Sequence, residues 1–506
     1  MSEQSNIDSQ TTSVQDDSTY DHIVKQTGIF GGVQGVTMLM NLIRNKIASV
    51  LLGPDGLALI NIFNNATRLI SESTNFGISI SAVKQMAELY EAGDMVKVRQ
   101  QALTVRTWSL YLGLLGALTA LVLAPWLSLW TFENYDYTTS YMLIAPIVGA
   151  GSVIGGEMAI LKGLKRLKNV AVISVISATS ILIISAPLYF ILHIQGIIWA
   201  LLLCQIAVLV IHLRYSTRAI PWQTALSSRT QFIAGLPMLR LGIGYVLAGL
   251  FGQGAEYLIR LLILRWGTQA DVGLYYSGYL LTVTYASMVF VAFEADYFPR
   301  LSATEGNVER QNQTVNQQIM VSILLMAPLL SLFVMALPIL LPLLFSSKFT
   351  EAIPMAITAT YYMFFKSGLL GAAYLPLARG DSKIYMLTEL FYDLIIAFAV
   401  PLAFRRWGLV GTGWALSLAS LLDMLFIHVV YRFKYQYQVS KSVISIFLVQ
   451  ILLFSITFAS TGFGTLWLRW SVGLPTATLS FVISYRFLKR ETTLIDKIKN
   501  RFRRNK

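Results

Sequence analysis

The sequence predicts an all-α polytopic membrane protein of about 14 transmembrane helices, built as two pseudo-symmetric six-helix lobes followed by a C-terminal helix pair. Three observations carry that expectation. The 506-residue chain is 55% hydrophobic and only 13% charged, with a mean hydropathy of +0.61, which is outside the range of soluble globular domains. Apolar runs of roughly 18 to 25 residues recur along nearly its whole length, and each can cross a hydrocarbon core of about 30 Å. The alternating strands of a barrel are absent, so helices are the expected spans. Third, the chain resembles itself at an offset of 215 to 217 residues.

Taken in order, residues 1–25 are polar and rich in Ser, Thr, Gln and Asp, and read as a disordered cytoplasmic tail rather than a signal peptide. Residues 26–213 hold six spans, the N-lobe. The first two are joined by the turn Gly53-Pro54-Asp55-Gly56. Residues 214–236 carry Arg214, Arg218, Trp222 and Arg229 and read as an amphipathic linker lying in the membrane interface. Residues 237–431 hold six further spans, the C-lobe. A last pair occupies 440–485, and 486–506 is a basic cytoplasmic tail.

The net charge of +13 does not point to nucleic acid, because nine of the 39 Lys and Arg residues lie in that tail and most others fall in alternate loops. Lys84, Lys97, Lys162, Lys165, Arg300 and Arg379 mark one side, whereas the opposite loops hold Arg265, Lys348, Arg405 and Arg406. Cationic loops stay cytoplasmic, so both termini are expected there. Trp126, Trp130, Trp266, Trp407 and Trp467 line the outer turns as an aromatic belt. The single cysteine, Cys204, excludes a disulfide framework, and the four histidines form no HExxH spacing. With no Walker lysine motif, no GxSxG and no large outer loop, neither a nucleotide engine nor a catalytic domain is expected. No cofactor or resident metal is expected either.

The repeat is carried by ordered matches. Gly196-Ile-Ile-Trp199-Ala200-Leu201 returns as Gly411-Thr-Gly-Trp414-Ala415-Leu416, and Lys162-Gly163-Leu-Lys-Arg166 returns as Arg379-Gly380-Asp-Ser-Lys383. Six is even, so the two lobes are parallel repeats. Arg44 then corresponds to Arg260, each eleven residues before its turn aspartate, Asp55 or Asp271. A charge at the centre of a span costs about 2.5 to 3.5 kcal/mol on insertion scales, so it tends to face a wet cavity, to pair or to snorkel. The repeat-matched arginines are therefore expected to face one central cationic cavity.

The stretch Gly53-Pro54-Asp55-Gly56-Leu57, with Phe63, Phe76-Gly77-Ile78 and Ala82-Val-Lys84, resembles the first hairpin of bacterial polysaccharide-biosynthesis flippases. Asp271-Val272-Gly273-Leu274-Tyr275, Phe298-Pro299-Arg300-Leu301 and Ser347-Lys348-Phe349 extend the resemblance over most of the chain. The similarity is greatest to the O-antigen and enterobacterial common antigen lipid-carrier (Wzx-type) flippases of the multidrug/oligosaccharidyl-lipid/polysaccharide exporter superfamily. It implies a bacterial inner-membrane transporter that turns undecaprenyl-pyrophosphate-linked oligosaccharide from the cytoplasmic to the outer leaflet by alternating access. It further implies a link to lipopolysaccharide or other surface polysaccharide synthesis, and a polysaccharide polymerase as a partner. The chain departs from the related peptidoglycan-precursor flippases near span 8, where Gly278 and Tyr279 stand about where those carry a cavity arginine; Arg260 could supply that charge.

Guanidinium suits pyrophosphate because its planar fork makes paired, charge-assisted hydrogen bonds. Arg44, Arg68 and Arg260 are the first candidates for substrate binding, with Lys46, Asn64 and Lys366 beside them. The competing reading has Arg44 and Lys46 snorkelling to the outer interface and Arg68 pairing with Glu72. Glu389 and Asp393 share a helix face at i, i+4 and are candidates for H+ or Na+ coupling. Two alternatives stand beside the flippase: a cation-coupled multidrug exporter of the same fold and, from another class, a membrane glycan polymerase.

Overall fold

The computed structural model describes residues 2–226, 228–304 and 306–491, with the side chains of residues 1–31 and a few later positions outside the described set. The expected N-terminal tail and most of the basic C-terminal tail therefore lie outside the described side chains. Among the described residues every regular element is helical: α1 Ser2–Asn75, α2 Ile78–Glu91, α3 Met95–Phe132, α4 Thr138–Met142, α5 Ile144–Gly163, α6 Leu167–Leu192, α7 Gly196–Thr217, α8 Arg229–Trp266, α9 Gln269–Tyr279, α10 Ala286–Ser302, α11 Val308–Leu344, α12 Ile353–Ala373, α13 Leu375–Ala378, α14 Ser382–Tyr435, α15 Lys441–Ser460 and α16 Leu466–Glu491. A π-helical stretch, Leu280–Tyr285, joins α9 to α10.

Seven of these helical stretches are long and apolar enough to cross a membrane. Several are too long for one crossing, since about 20 residues suffice. The 54-residue α14 is broken at Gly408, whose φ of 63° leaves the helical region. In α1 the same break falls at Gly53, at φ 69° and ψ −168°, directly before Pro54. Proline lacks the amide hydrogen that would continue the ladder, and glycine accepts the positive φ without a Cβ clash. Each break divides one continuous helical run into two spans, and with these breaks the chain is roughly consistent with the expected fourteen passes.

The chain divides into two compact units. Unit 1 comprises residues 1–51, 70–128 and 135–246, and unit 2 comprises 52–69, 129–134 and 247–506. In unit 1, Ile78, Ala82 and Met86 of α2 pack with Val98, Ala102 and Val105 of α3 and with Ala159 and Ile160 of α5. Helices α3 and α5 approach closely at Gly113 and Gly149, where a Cβ on Gly113 would stand 2.8 Å from the Gly149 carbonyl oxygen. Small residues let helix backbones meet in lipid, where packing replaces the hydrophobic effect as the driving force.

In unit 2, Tyr297, Val315, Ile319, Leu369, Ile427 and Tyr431 form one core cluster. The segments 52–69 and 129–134 belong to unit 2 although they lie in the first sequence repeat. Polar ties account for that: Gln269 donates to the Asp55 carbonyl at 3.0 Å, Arg265 pairs with Glu133 at 2.9 Å, and the Thr131 and Tyr257 hydroxyls stand 2.7 Å apart. Gly273 lies against Pro54 so tightly that a Cβ there would run into the Pro54 carbonyl.

Candidate functional site

Arg260 lies on α8 and is only 3% exposed. Each of its three guanidinium nitrogens is engaged. Nε donates to Asn61 Oδ1, Nη1 donates to the Glu256 backbone oxygen at 2.6 Å, and Nη2 pairs with the Glu256 carboxylate at 3.2 Å. The i, i+4 spacing puts Glu256 one turn before Arg260 on the same face. Asn61 is itself held by Asn65, whose amide donates to the Asn61 carbonyl at 2.9 Å and to its Oδ1 at 3.1 Å. A guanidinium, a carboxylate and two amides thus meet at the level of span 2.

The other expected residues are distributed between the units. Arg44 and Lys46 belong to unit 1, and Arg68, Asn64, Arg260, Lys366, Glu389 and Asp393 to unit 2. Arg44 is half-buried and donates to the neighbouring Asn45 at 3.2 Å. Lys46 and Asn64 are also half-buried, and Arg68 is exposed. The repeat-matched pair therefore differs in local surroundings. Arg260 is enclosed by an ion pair, whereas Arg44 donates to a neutral amide.

Lys366, on α12, stands 5.6 Å from the centroid of the Tyr392 ring, a distance at which the ring face attracts a cation. Tyr392 in turn lies beside Tyr362. Lys366 also sits in the electrostatic field of Asp423 and Glu389. Asp393 is buried on α14 and interacts electrostatically with Glu389, Glu256, Lys366 and Asp423. Its carboxylate lies against Gly252 of α8, where a Cβ would stand 3.4 Å from Oδ2. Asp423 is 3% exposed and its Oδ1 has no hydrogen-bond partner among the described residues. Unit 2 thus holds a second polar group of one ammonium, three carboxylates and two phenols inside apolar helices.

Sequence reasoning missed two parts of this picture. Glu256 stands out only once it is seen against Arg260, although the Glu-x-x-x-Arg spacing was available to find it. Arg106 was absent from the candidates, yet it is 1% exposed in the middle of unit 1. It pairs with Glu157 through Nε at 2.9 Å and Nη2 at 3.1 Å. A lone arginine within the apolar run of α3 was the available signal.

The polar clusters sit in a fold shared with known transporters. The profile of a family described as polysaccharide biosynthesis protein matches residues 34–354. No curated protein matches the sequence. Among solved structures, an inward-facing multidrug resistance MATE family transporter of the MOP superfamily superposes with a TM-score of 0.66 at 16% identity, covering 79% of this chain and 94% of its own. The lipid II flippase MurJ, in an inward closed conformation, gives 0.65 at 13% identity over 91% of this chain and 99% of its own. A MOP superfamily transporter from Pyrococcus furiosus, described as having a binding pocket of reverse polarity, gives 0.59 at 15% identity over 82% and 95%. At these identities the likeness is one of fold.

Proposed function

We propose, from the premise that the chain belongs to the polysaccharide biosynthesis protein family, that this multi-pass membrane protein flips an undecaprenyl-pyrophosphate-linked oligosaccharide from the cytoplasmic to the outer leaflet of a bacterial inner membrane. Delivery would serve O-antigen or another surface polysaccharide, with a polymerase downstream and both termini cytoplasmic. The supporting observation is the buried Arg260 with its amide neighbours Asn61 and Asn65. Guanidinium fits a pyrophosphate, and amides fit sugar hydroxyls. Arg44, Lys46, Arg68, Asn64 and Lys366 are the further substrate-facing candidates. Alternating access would supply polar partners to the headgroup while the polyprenyl tail stays in lipid, avoiding the cost of moving phosphates through hydrocarbon. The flippase activity named for MurJ, a protein of like fold, agrees with this reading. Glu389 and Asp393 are proposed to couple the cycle to H+ or Na+.

The test is the leaflet distribution of lipid-linked glycan in cells lacking the gene, complemented with wild type or Arg260→Ala. Cytoplasmic-leaflet trapping rescued only by wild type supports flipping through the arginine. Outer-leaflet delivery without the gene, in a strain with no second flippase, overturns it. A second reading is a cation-coupled multidrug exporter, favoured by the acidic and aromatic groups around Tyr392, Asp393 and Asp423. Resistance to cationic drugs on expression, with normal glycan delivery in the deletion strain, would select it.

A further inference from the structure

The segment between α7 and α8 runs without helix from residue 218 to 226. Irregular backbone beside a bilayer is tolerated only where protein or water satisfies its polar groups. Here α3 takes up four of them. Arg106 donates to the carbonyls of Ile220 at 3.0 Å and Pro221 at 2.5 Å. The Ala225 amide donates to Thr107 Oγ1 at 3.1 Å, and the Tyr111 hydroxyl donates to the Leu226 carbonyl. Trp108 stacks on Phe232 with centroids 4.8 Å apart. The segment is a strap whose backbone polarity is turned inward onto unit 1.

What it turns outward is apolar and cationic. Trp222 is 40% exposed, Leu226 50% and Ile233 54%. Arg214, Arg218 and Arg229 are also exposed, and no Asp or Glu occurs anywhere between positions 214 and 236. Trp222 presents one face to Arg106, 5.0 Å from its ring centroid, which orients the indole at the strap surface. Arg218 lies 5.9 Å from the Tyr215 ring centroid. Interfacial aromatics beside unopposed arginines complement a leaflet surface that is apolar below and anionic above.

We propose that this strap is a binding surface for anionic phospholipid headgroups of the leaflet on its side of the membrane, with Arg214, Arg218 and Arg229 contacting phosphate and Trp222 and Leu226 inserted beside the acyl chains. The surface lies wholly within unit 1, whereas the Arg260 and Lys366 groups belong to unit 2. The transported substrate plays no part in it. The charge pattern commits it to lipids with a net negative headgroup; zwitterionic lipid gains only the apolar contact.

The experiment titrates phosphatidylglycerol and phosphatidylcholine onto the full chain in nanodiscs and counts bound lipid by native mass spectrometry. Wild type is compared with the triple variant R214Q/R218Q/R229Q and with a second basic triple on the same expected side, K162Q/R166Q/K168Q. A basic residue near an anionic surface contributes about fivefold in affinity, so the strap triple is expected to weaken phosphatidylglycerol binding on the order of a hundredfold at low salt. Phosphatidylcholine binding and the second triple should be little changed. Wild-type binding should also fall steeply as salt is raised, a readout that needs no variant. Unchanged binding in the strap triple overturns the proposal, as does an equal loss in both triples, which would indicate a diffuse potential. So does salt-insensitive wild-type binding. Displacement of phosphatidylglycerol from wild type by undecaprenyl pyrophosphate, itself bound through the same three arginines, would reassign the surface to the substrate headgroup and overturn it too.

Discussion

Arg106 and Glu157, 51 positions apart in sequence, meet as a two-point ion pair that is 1% exposed on each side. The same guanidinium reaches Ser216 at 3.1 Å, and the Ser216 hydroxyl donates to Glu157. One arginine therefore ties α3, α5, the end of α7 and the strap. Burying such a pair costs desolvation that only complete hydrogen bonding offsets, and here both charges are fully engaged.

Removing one partner should be worse than removing both. Arg106→Met or Glu157→Leu alone leaves an uncompensated buried charge, with an expected loss of about 3 to 5 kcal/mol. The double variant should recover much of it. Thermal unfolding in detergent, analysed as a double-mutant cycle, checks this; additive losses would mean that the pair is not coupled.

Gly273 should tolerate no side chain. A Cβ would meet the Pro54 carbonyl, which is backbone and cannot rotate away. Gly273→Val is expected to cost about 1 to 3 kcal/mol as an overpacking substitution. Gly254→Ala, where nothing lies within 4 Å, is the control and should unfold at nearly the wild-type temperature.

Arg260 can be divided into structural and transport roles. Arg260→Ala leaves Glu256 without its ion-pair partner and Asn61 Oδ1 with only the Asn65 amide as donor, so its loss of stability should be relieved in Arg260→Ala/Glu256→Ala. If Arg260 also contacts the substrate pyrophosphate, flipping stays at least tenfold low in the double variant although stability returns. Restored transport in the double variant would reduce Arg260 to a packing role.

The pair formed by Lys165 and Glu91, the last residue of α2, at 2.6 Å, lies outside the expected spans. The Lys165 hydrogen bond and charge hold the Glu91 carboxyl below its ordinary value. A lowered carboxylate contributes stability that is fully present above its unfolded value and is lost as pH falls through the folded one. Lys165→Ala should move the Glu91 titration, followed by NMR of labelled glutamate, upward to the ordinary range. Added salt should move it the same way in wild type, because the pair is exposed.

Sequence alone determined the helical class, the approximate number of crossings and the family. Hydropathy is a local property summed along the chain, and a run of about 20 apolar residues has one stable form in lipid. The breaks at Gly53 and Gly408 were likewise legible at the first, where Gly-Pro forbids a continuous ladder. Candidate charges were legible as costly residues in apolar runs. Their partners on other helices were not, since such a partner depends on depth and rotational phase of two separate helices. Asn61 and Asn65 stand about 40° apart around span 2 and share a face, so the tertiary structure joins Asn61 to Arg260 across 199 positions. Asn64, expected to bind substrate, is half-buried on the same span. Only packing decided that Arg106 would close on Glu157 and hold the strap, and that Arg260 would be buried and reach Asn61 while Arg44 stayed half-buried. Apolar length acts within one segment, whereas a buried charge is satisfied by whatever the fold brings within about 3 Å.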